Sequence, residues 1–215
     1  MRNNKDRIIF EKSEETLEDL EKYSRTAEYP INDLFFERWS PSHLSGEEIE
    51  IEELMPLFEA AKWAPSAHNN QPWRFLFAMR GTPNWKLFFN LLSDVNKKWA
   101  KDASALIIIL SKKTFDNGKP SMTHSFDTGA AWENLALQGF LMGYAVHGMD
   151  LFDYDQAKKK LNIPNSFQIE AMAAVGKPHK KTTSEEMEIY RHPSPRKKTE
   201  EIFYEGKFPR GDFQN

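Results

Sequence analysis

Two polar clusters in this 215-residue chain hold residue types that could do chemistry. The first is Arg38-Trp39-Ser40, a fixed cation and a hydroxyl two residues apart. On extended backbone both side chains point the same way, so both can face one anion. The second runs from Pro65 to Trp73 and places Ser66, Asn69 and Gln71 in a loop bounded by prolines. Asn and Gln amides offer a donor and an acceptor together, which is what a heterocycle edge with alternating C=O and N–H requires. Read separately, each cluster is also an ordinary turn. Other chemistries find no support. There is no cysteine, which removes disulfides, zinc-thiolate sites, iron–sulfur clusters and a Cys nucleophile together. No glycine-rich phosphate loop and no G-x-S-x-G elbow occurs. His124 and Asp127 stand three apart with no third ligand near in sequence, and read as a capping or surface pair.

These residues need elements to position them. A stretch over 13–27, with Leu17, Leu20 and Tyr23 at helical spacing, predicts a surface helix closing at Tyr29-Pro30. Ser40-Pro41 forbids a long helix around Arg38. Ser45-Gly46-Glu47-Glu48 has the form of a capping box. Behind it Leu54, Leu57, Phe58 and Ala61 mark one face of a helix that starts near Glu52, with Pro56 in its first turn, and stops at Ala64-Pro65. A strand follows at Trp73–Met79, then a turn at Gly81-Thr82-Pro83-Asn84 and short helices over 85–92 and 94–99. The unbroken apolar run Ala105–Leu110 suits a central strand covered on both faces. Residues 126–145 predict a long helix, apolar nearly all round and so buried inside a domain or a dimer. A short stretch at Val146–Met149, a helix over 153–161 and a strand at Glu170–Val175 complete the mixture, which means α/β or α+β.

Composition bounds the class. With 29 Lys+Arg against 32 Asp+Glu the net charge is −3, which argues against a nucleic-acid binder held by a basic field. The balance is uneven: residues 1–60 hold 7 basic and 16 acidic residues, and residues 177–210 hold 9 and 6. Six Trp, six Tyr and sixteen Phe supply a real core. The longest apolar run falls far short of the roughly 20 residues of a membrane helix. No apolar signal core precedes the first acidic cluster, so the chain reads as soluble and cytoplasmic.

Taken together, the clusters resemble the FMN-dependent nitroreductase family. Arg38-x-Ser40 precedes Ala64-Pro65-Ser66-Ala67-His68-Asn69-Asn70-Gln71-Pro72-Trp73, and Asn96 with Lys101-Asp102-Ala103-Ser104 resembles the family's middle segment. The run from Asp127 to Gln138 is similar to its long central helix. Ser194-Pro195-Arg196-Lys197-Lys198 resembles its carboxy-terminal phosphate-binding segment. The resemblance covers about residues 31–208, with an acidic helical extension over 1–30 and a tail over 209–215.

The resemblance implies an α+β fold: a central, mostly antiparallel sheet flanked by helices, a long buried central helix, and an intertwined homodimer with FMN at the subunit interface. It implies that Arg38 and Arg196, with Lys197, neutralise the FMN phosphate, arginine's planar fork suiting phosphate oxygens. Trp39 and Ser40 would adjoin it, Ser40 adding a hydroxyl donor. Pro65, Ser66 and Asn69 would line the flavin from the other subunit, and Asn96 would bond its pyrimidine edge or ribityl hydroxyls. Gln71 either contacts the ligand or fixes its own loop. The backbone of His147, Gly148 and Met149 would pass near flavin N5, glycine permitting close approach. Two positions depart from the family pattern, Ser42 and Trp99, where basic residues are frequent. The implied activity is ping-pong transfer from NADH or NADPH to an electron-poor acceptor such as a nitroaromatic or quinone. Reductive dehalogenation and a flavin carrier or sensor without turnover are the alternatives.

Overall fold

In the computed structural model the described residues are 25–179 and 193–209. Four strands form one sheet: β1 (Trp73–Met79), β2 (Ala105–Lys112), β3 (Ala145–Met149) and β4 (Phe167–Gly176), in the order β1-β2-β4-β3 with every pair antiparallel. The helices are α1 (Leu34–Glu37), α2 (Ile51–Lys62), α3 (Pro83–Phe89), α4 (Asp94–Ala100), α5 (His124–Leu141) and α6 (Tyr154–Lys160). The expected α+β architecture is therefore present. Strand β2 is buried from Ala105 to Ser111 and feeds two cores. Leu106, Ile108 and Leu110 pack with Leu91, Trp99 and Phe152 on one face; Ile107 and Ile109 pack with Leu54, Leu57 and Leu135 on the other. Alternate residues of a strand point to opposite faces, so an unbroken apolar run is what a two-sided strand needs.

Local chemistry explains where the helices begin. Ser93 Oγ accepts the Asn96 N–H at 3.4 Å and Asp153 Oδ1 accepts the Gln156 N–H at 2.9 Å, capping α4 and α6. For α2 the expected box at Ser45–Glu48 is corrected. Ser45 Oγ accepts the Glu47 N–H instead, and Leu44 bridges Pro178, which holds that stretch in extended form. The capping pair is Glu50 and Glu53, with the Glu50 N–H donating to Glu53 Oε2 at 2.8 Å. Starting at Ile51, α2 carries Pro56 in its second turn rather than its first, where the missing N–H leaves the Glu52 carbonyl without its intrahelical donor. The Tyr144 hydroxyl donates to Glu53 Oε1 at 2.6 Å and ties the start of α2 to the α5–β3 turn. Burial, with the Glu53 hydrogen bond, pushes this phenol up to about 12, so the tie is unaffected by pH across the neutral range.

Of the expected helix over 13–27, residues 13–24 lie outside the described residues. Arg25–Ala27 are not helical: they run alongside the carboxy-terminal segment, Arg25 Nε donating to the Ser194 carbonyl at 2.9 Å. The long helix α5 ends at Leu141, and Ala145 belongs to β3. Its Ala131, Leu135 and Ala136 are buried, whereas Phe126 (80% exposed) and Leu141 (63%) stand open on the chain's surface. No helix among the described residues is long and apolar enough to cross a membrane.

Helices α2 and α5 approach each other at Gly139. A Cβ there would overlap Val146 Cγ2 and lie 3.3 Å from Leu57 Cδ2. Because Val146 sits in β3 and Leu57 in the core, neither can swing away. Gly139→Ala is expected to cost about 1–3 kcal/mol through overpacking. Thermal unfolding should register this as a fall in Tm of several degrees, and an unchanged Tm would show that the α2–α5 contact is softer than its geometry.

Candidate functional site

Helix α1 begins where Asn32 Oδ1 accepts the Leu34 N–H at 3.0 Å and ends after one turn at Arg38, whose ψ of 127° turns the chain extended before Pro41. Arg38 thereby leaves the helix and reaches α5, with Nε 3.4 Å from Glu133 Oε1. That nitrogen is buried without a hydrogen bond among the described residues. Arg25 lies beside it: Nη1 donates to the carbonyls of Phe36 and Arg38, both at 3.0 Å. Arg196 completes the group, its Nη1 donating to the Ser194 and Pro195 carbonyls at 3.1 Å. Burial, then the positive charges of Arg196 and Arg38, hold the Arg25 guanidinium below its ordinary value. Three guanidiniums thus share one region, and among the described residues only Arg38 of the three forms an ion pair. A cleft of about 460 Å³ opens beside Arg25 and Arg196, with Arg25, Glu28, Tyr29, Phe35, Arg196 and Lys197 in its walls; Arg38 lies outside its lining.

Residues Trp39 and Ser40, both half-buried, continue the segment toward β3. The Pro41 carbonyl lies 3.3 Å from His147 Nδ1, and the His147 ring packs on Trp99 with centroids 4.5 Å apart and planes 30° from parallel. The adjacent Ser42 hydroxyl is buried without a hydrogen-bond partner among the described residues. Burial pushes the His147 imidazole below its ordinary value, and the Pro41 carbonyl offsets part of that. Gly148, exposed, lies under Trp132 of α5: a Cβ there would be 3.2 Å from the indole. Met149 is buried. Asn96 is also buried, and its amide donates to the Leu151 carbonyl at 3.0 Å, tying α4 to the end of β3.

The second cluster is held elsewhere. His68, Asn69 and Gln71 all have positive φ, of 53°, 54° and 48°, a conformation that favours glycine. The loop is kept there by its own bonds and by α5. Ser66 Oγ accepts the Gln71 N–H at 3.0 Å, and the Gln71 amide donates to the Asn69 carbonyl at 3.2 Å. Asp127 Oδ2 accepts the Ala67 N–H and the Thr123 hydroxyl, each at 3.1 Å. Through these bonds Gln71 helps to fix its own loop. Asp127 and His124 do not form a pair: His124 Nδ1 lies 2.7 Å from Ser111 Oγ, on the opposite side of the helix start. No group of three or more His, Asp or Glu side chains that could hold a metal occurs among the described residues.

Comparison with known proteins follows the same residues. The pattern of the Nitroreductase family matches residues 36–82, the stretch that holds Arg38, Ser40 and the loop after Pro65. A crystal structure described as an oxidoreductase containing FMN is 42% identical, covers 87% of this chain and 97% of its own, and superposes with a TM-score of 0.82. This chain belongs to the nitroreductase family. Protein DrgA of Synechocystis is 29% identical over an alignment of 174 residues that covers 67% of this chain and 82% of DrgA. A nitroreductase-like structure from Desulfovibrio desulfuricans shares the fold at 22% identity, with a TM-score of 0.65 over 85% of this chain and all of its own.

Against that nitroreductase framework, the structure joins Arg38 to Arg196 through Arg25, and joins Trp39–Pro41 to His147 and Trp99. It leaves Pro65, Ser66 and Asn69 in a separate place on the same chain. Sequence reasoning missed Arg25, Glu133 and Asp127 as members of these groups. The only signal for Asp127 was its position at the first turn of α5; Arg25 gave none.

Because burial lowers the His147 value, the folded state favours its neutral form. Its contribution to stability is present above the unfolded value, near 6.5, and is lost as pH falls through the lower folded value. His147→Phe keeps the ring on Trp99 and removes the titration. Tm measured from pH 8 down to 5 should fall more steeply for the natural protein than for the variant. Parallel curves would mean that His147 carries no linked proton.

Proposed function

We propose that this protein is an FMN-dependent oxidoreductase that takes reducing equivalents from NAD(P)H and passes them to an electron-poor acceptor, a nitroaromatic or quinone. Donor and acceptor occupy the same place in turn. The observation that carries this reading is that Arg25 ties together the segments bearing Arg38 and Arg196, with one buried Arg38 nitrogen lacking a hydrogen bond among the described residues. Guanidinium forks suit phosphate oxygens, and the 42% identical relative is described as containing FMN.

The residues present fit that group. Arg38 and Arg196, with Lys197, would neutralise the phosphate, and the Ser40 hydroxyl would donate to it. The buried, unpartnered Ser42 hydroxyl adds polar capacity one step further along the same strand of chain. When bound, FMN supplies the hydride chemistry. The protein supplies position and field. The N–H groups of His147 and Gly148 belong to β3, the edge of the sheet, where one side of the strand has no partner strand among the described residues. Successive N–H groups of a strand point to opposite edges, so one of the two is directed away from β4 and would serve as a fixed donor for negative charge that develops during reduction. Neutral His147 adds no full charge there. No acid–base dyad is needed.

The second half of the site is proposed to come from a partner copy. Pro65, Ser66 and Asn69 stand on a loop pinned to the start of α5, and a homodimer across the open side of that helix would cover Phe126 and Leu141. Asn96 stays with α4, its amide engaged by Leu151.

The purified protein is expected to be yellow, and its flavin bands to bleach when NADH or NADPH is added without oxygen. Bands that persist would favour a carrier without turnover; a colourless protein that takes up no added FMN would overturn the reading. Arg38→Gln should weaken FMN binding by roughly 10- to 100-fold, the scale of one charge-assisted hydrogen bond. Flavin fluorescence titration measures it.

A further inference from the structure

We propose that Arg25 is a third cation of the phosphate site, and that the segment Arg25–Glu28 is the clamp that assembles that site from the two ends of the chain. The proposal rests on the FMN reading above. Its geometry is independent of that reading. Arg25 donates from Nε to the Ser194 carbonyl at 2.9 Å and from Nη1 to the Phe36 and Arg38 carbonyls at 3.0 Å. One planar side chain therefore fixes the backbone of both Arg38 and the turn that carries Arg196. Three residues later Glu28 accepts the Thr199 N–H with both carboxylate oxygens, at 3.3 and 3.2 Å. The two bonds span 169 and 171 residues and hold the segment from Ser194 to Thr199 in place on both sides of Arg196 and Lys197.

The charge pattern says what the clamp is for. Here Arg25 satisfies carbonyls, which carry no net charge, while sitting within reach of two further guanidiniums that repel it. Among the described residues neither Arg25 nor Arg196 forms an ion pair, the Glu28 carboxylate in the same cleft being taken up by the Thr199 N–H, and Arg38 has only Glu133, at 3.4 Å. A dianion placed between them converts that repulsion into attraction. A phosphate monoester has the charge and the three acceptor oxygens to do so. Binding of the phosphate and closure of the clamp are then coupled: each favours the other.

The test compares FMN with riboflavin, which has the same ring and ribityl chain but no phosphate. The full-length protein, Arg25→Gln and Arg25→Lys are titrated with both flavins, with Tm measured for each protein. Arg25→Gln is expected to lose 10-fold or more in FMN affinity with riboflavin affinity unchanged. Arg25→Lys keeps the charge but cannot bridge three carbonyls, and should fall between the two. Hydrogen exchange at the Thr199 amide should slow with FMN and stay as it was with riboflavin. Equal losses for FMN and riboflavin would reduce Arg25 to a structural tie and overturn the proposal, as would an FMN affinity within twofold of the natural protein's. If Arg25→Gln does not fold, Arg25→Lys and the exchange measurement decide the same question. A natural protein that binds riboflavin as tightly as FMN would overturn the phosphate reading itself, and the clamp with it; that outcome is seen before any variant is made.

Discussion

Strand β2 is the member on which every other part of the molecule leans. Its seven buried residues alternate between two cores, so neither layer of helices can form its apolar face without it. On one side α2 and α5 close over Ile107 and Ile109; on the other α3, α4 and α6 close over Leu106, Ile108 and Leu110. At roughly 1.5–3 kcal/mol for each fully buried aliphatic side chain, this strand supplies more burial energy than any surface feature could. The candidate site inherits its geometry from that arrangement. Trp99 reaches His147 because α4 is anchored over β2 while β3 closes the sheet's far edge beyond β4.

Helix α5 then sets where the two polar clusters stand relative to one another. Asp127 holds the loop after Pro65, and Glu133 faces Arg38. Six residues along an α-helix amount to about 9 Å and a change of direction of about a third of a turn. The two groups therefore face different directions on the helix. Apolar residues are left open along the same helix, at Phe126 and Leu141. The loop can afford its three positive-φ residues because Asp127 and Ser66 hold its backbone from both ends.

What was legible in the sequence follows from how local each signal is. The strand Trp73–Met79 falls at its expected ends because prolines and a Gly-Thr-Pro turn bound it. The run Ala105–Leu110 announced a two-sided strand because no polar residue interrupts it. The start of α2 misled because Ser45-Gly46-Glu47-Glu48 and Glu50–Glu53 both satisfy the spacing of a capping box. The choice between them is made by Leu44 pairing with Pro178, more than a hundred residues away. Arg38 and Arg196 were readable as cations beside turn residues. Arg25 was not, since its partners are backbone carbonyls, and a carbonyl leaves no mark on the sequence.

The use of arginine at all three positions is itself an argument about the site. A lysine crowded by two cations relieves the strain by releasing its proton, because its ordinary value lies near enough to neutrality to be shifted there. Arginine cannot do this under ordinary conditions, and Arg25, though held below its usual value by its neighbours, remains charged. The repulsion in the cluster is thus permanent until an anion arrives. The long-range bonds of Arg25 and Glu28 oppose it in the meantime. Without them the carboxy-terminal segment, which is exposed and makes few apolar contacts, has little to keep Arg196 near Arg38. The fold therefore uses hydrogen bonds to hold like charges together, an arrangement that an anion would stabilise.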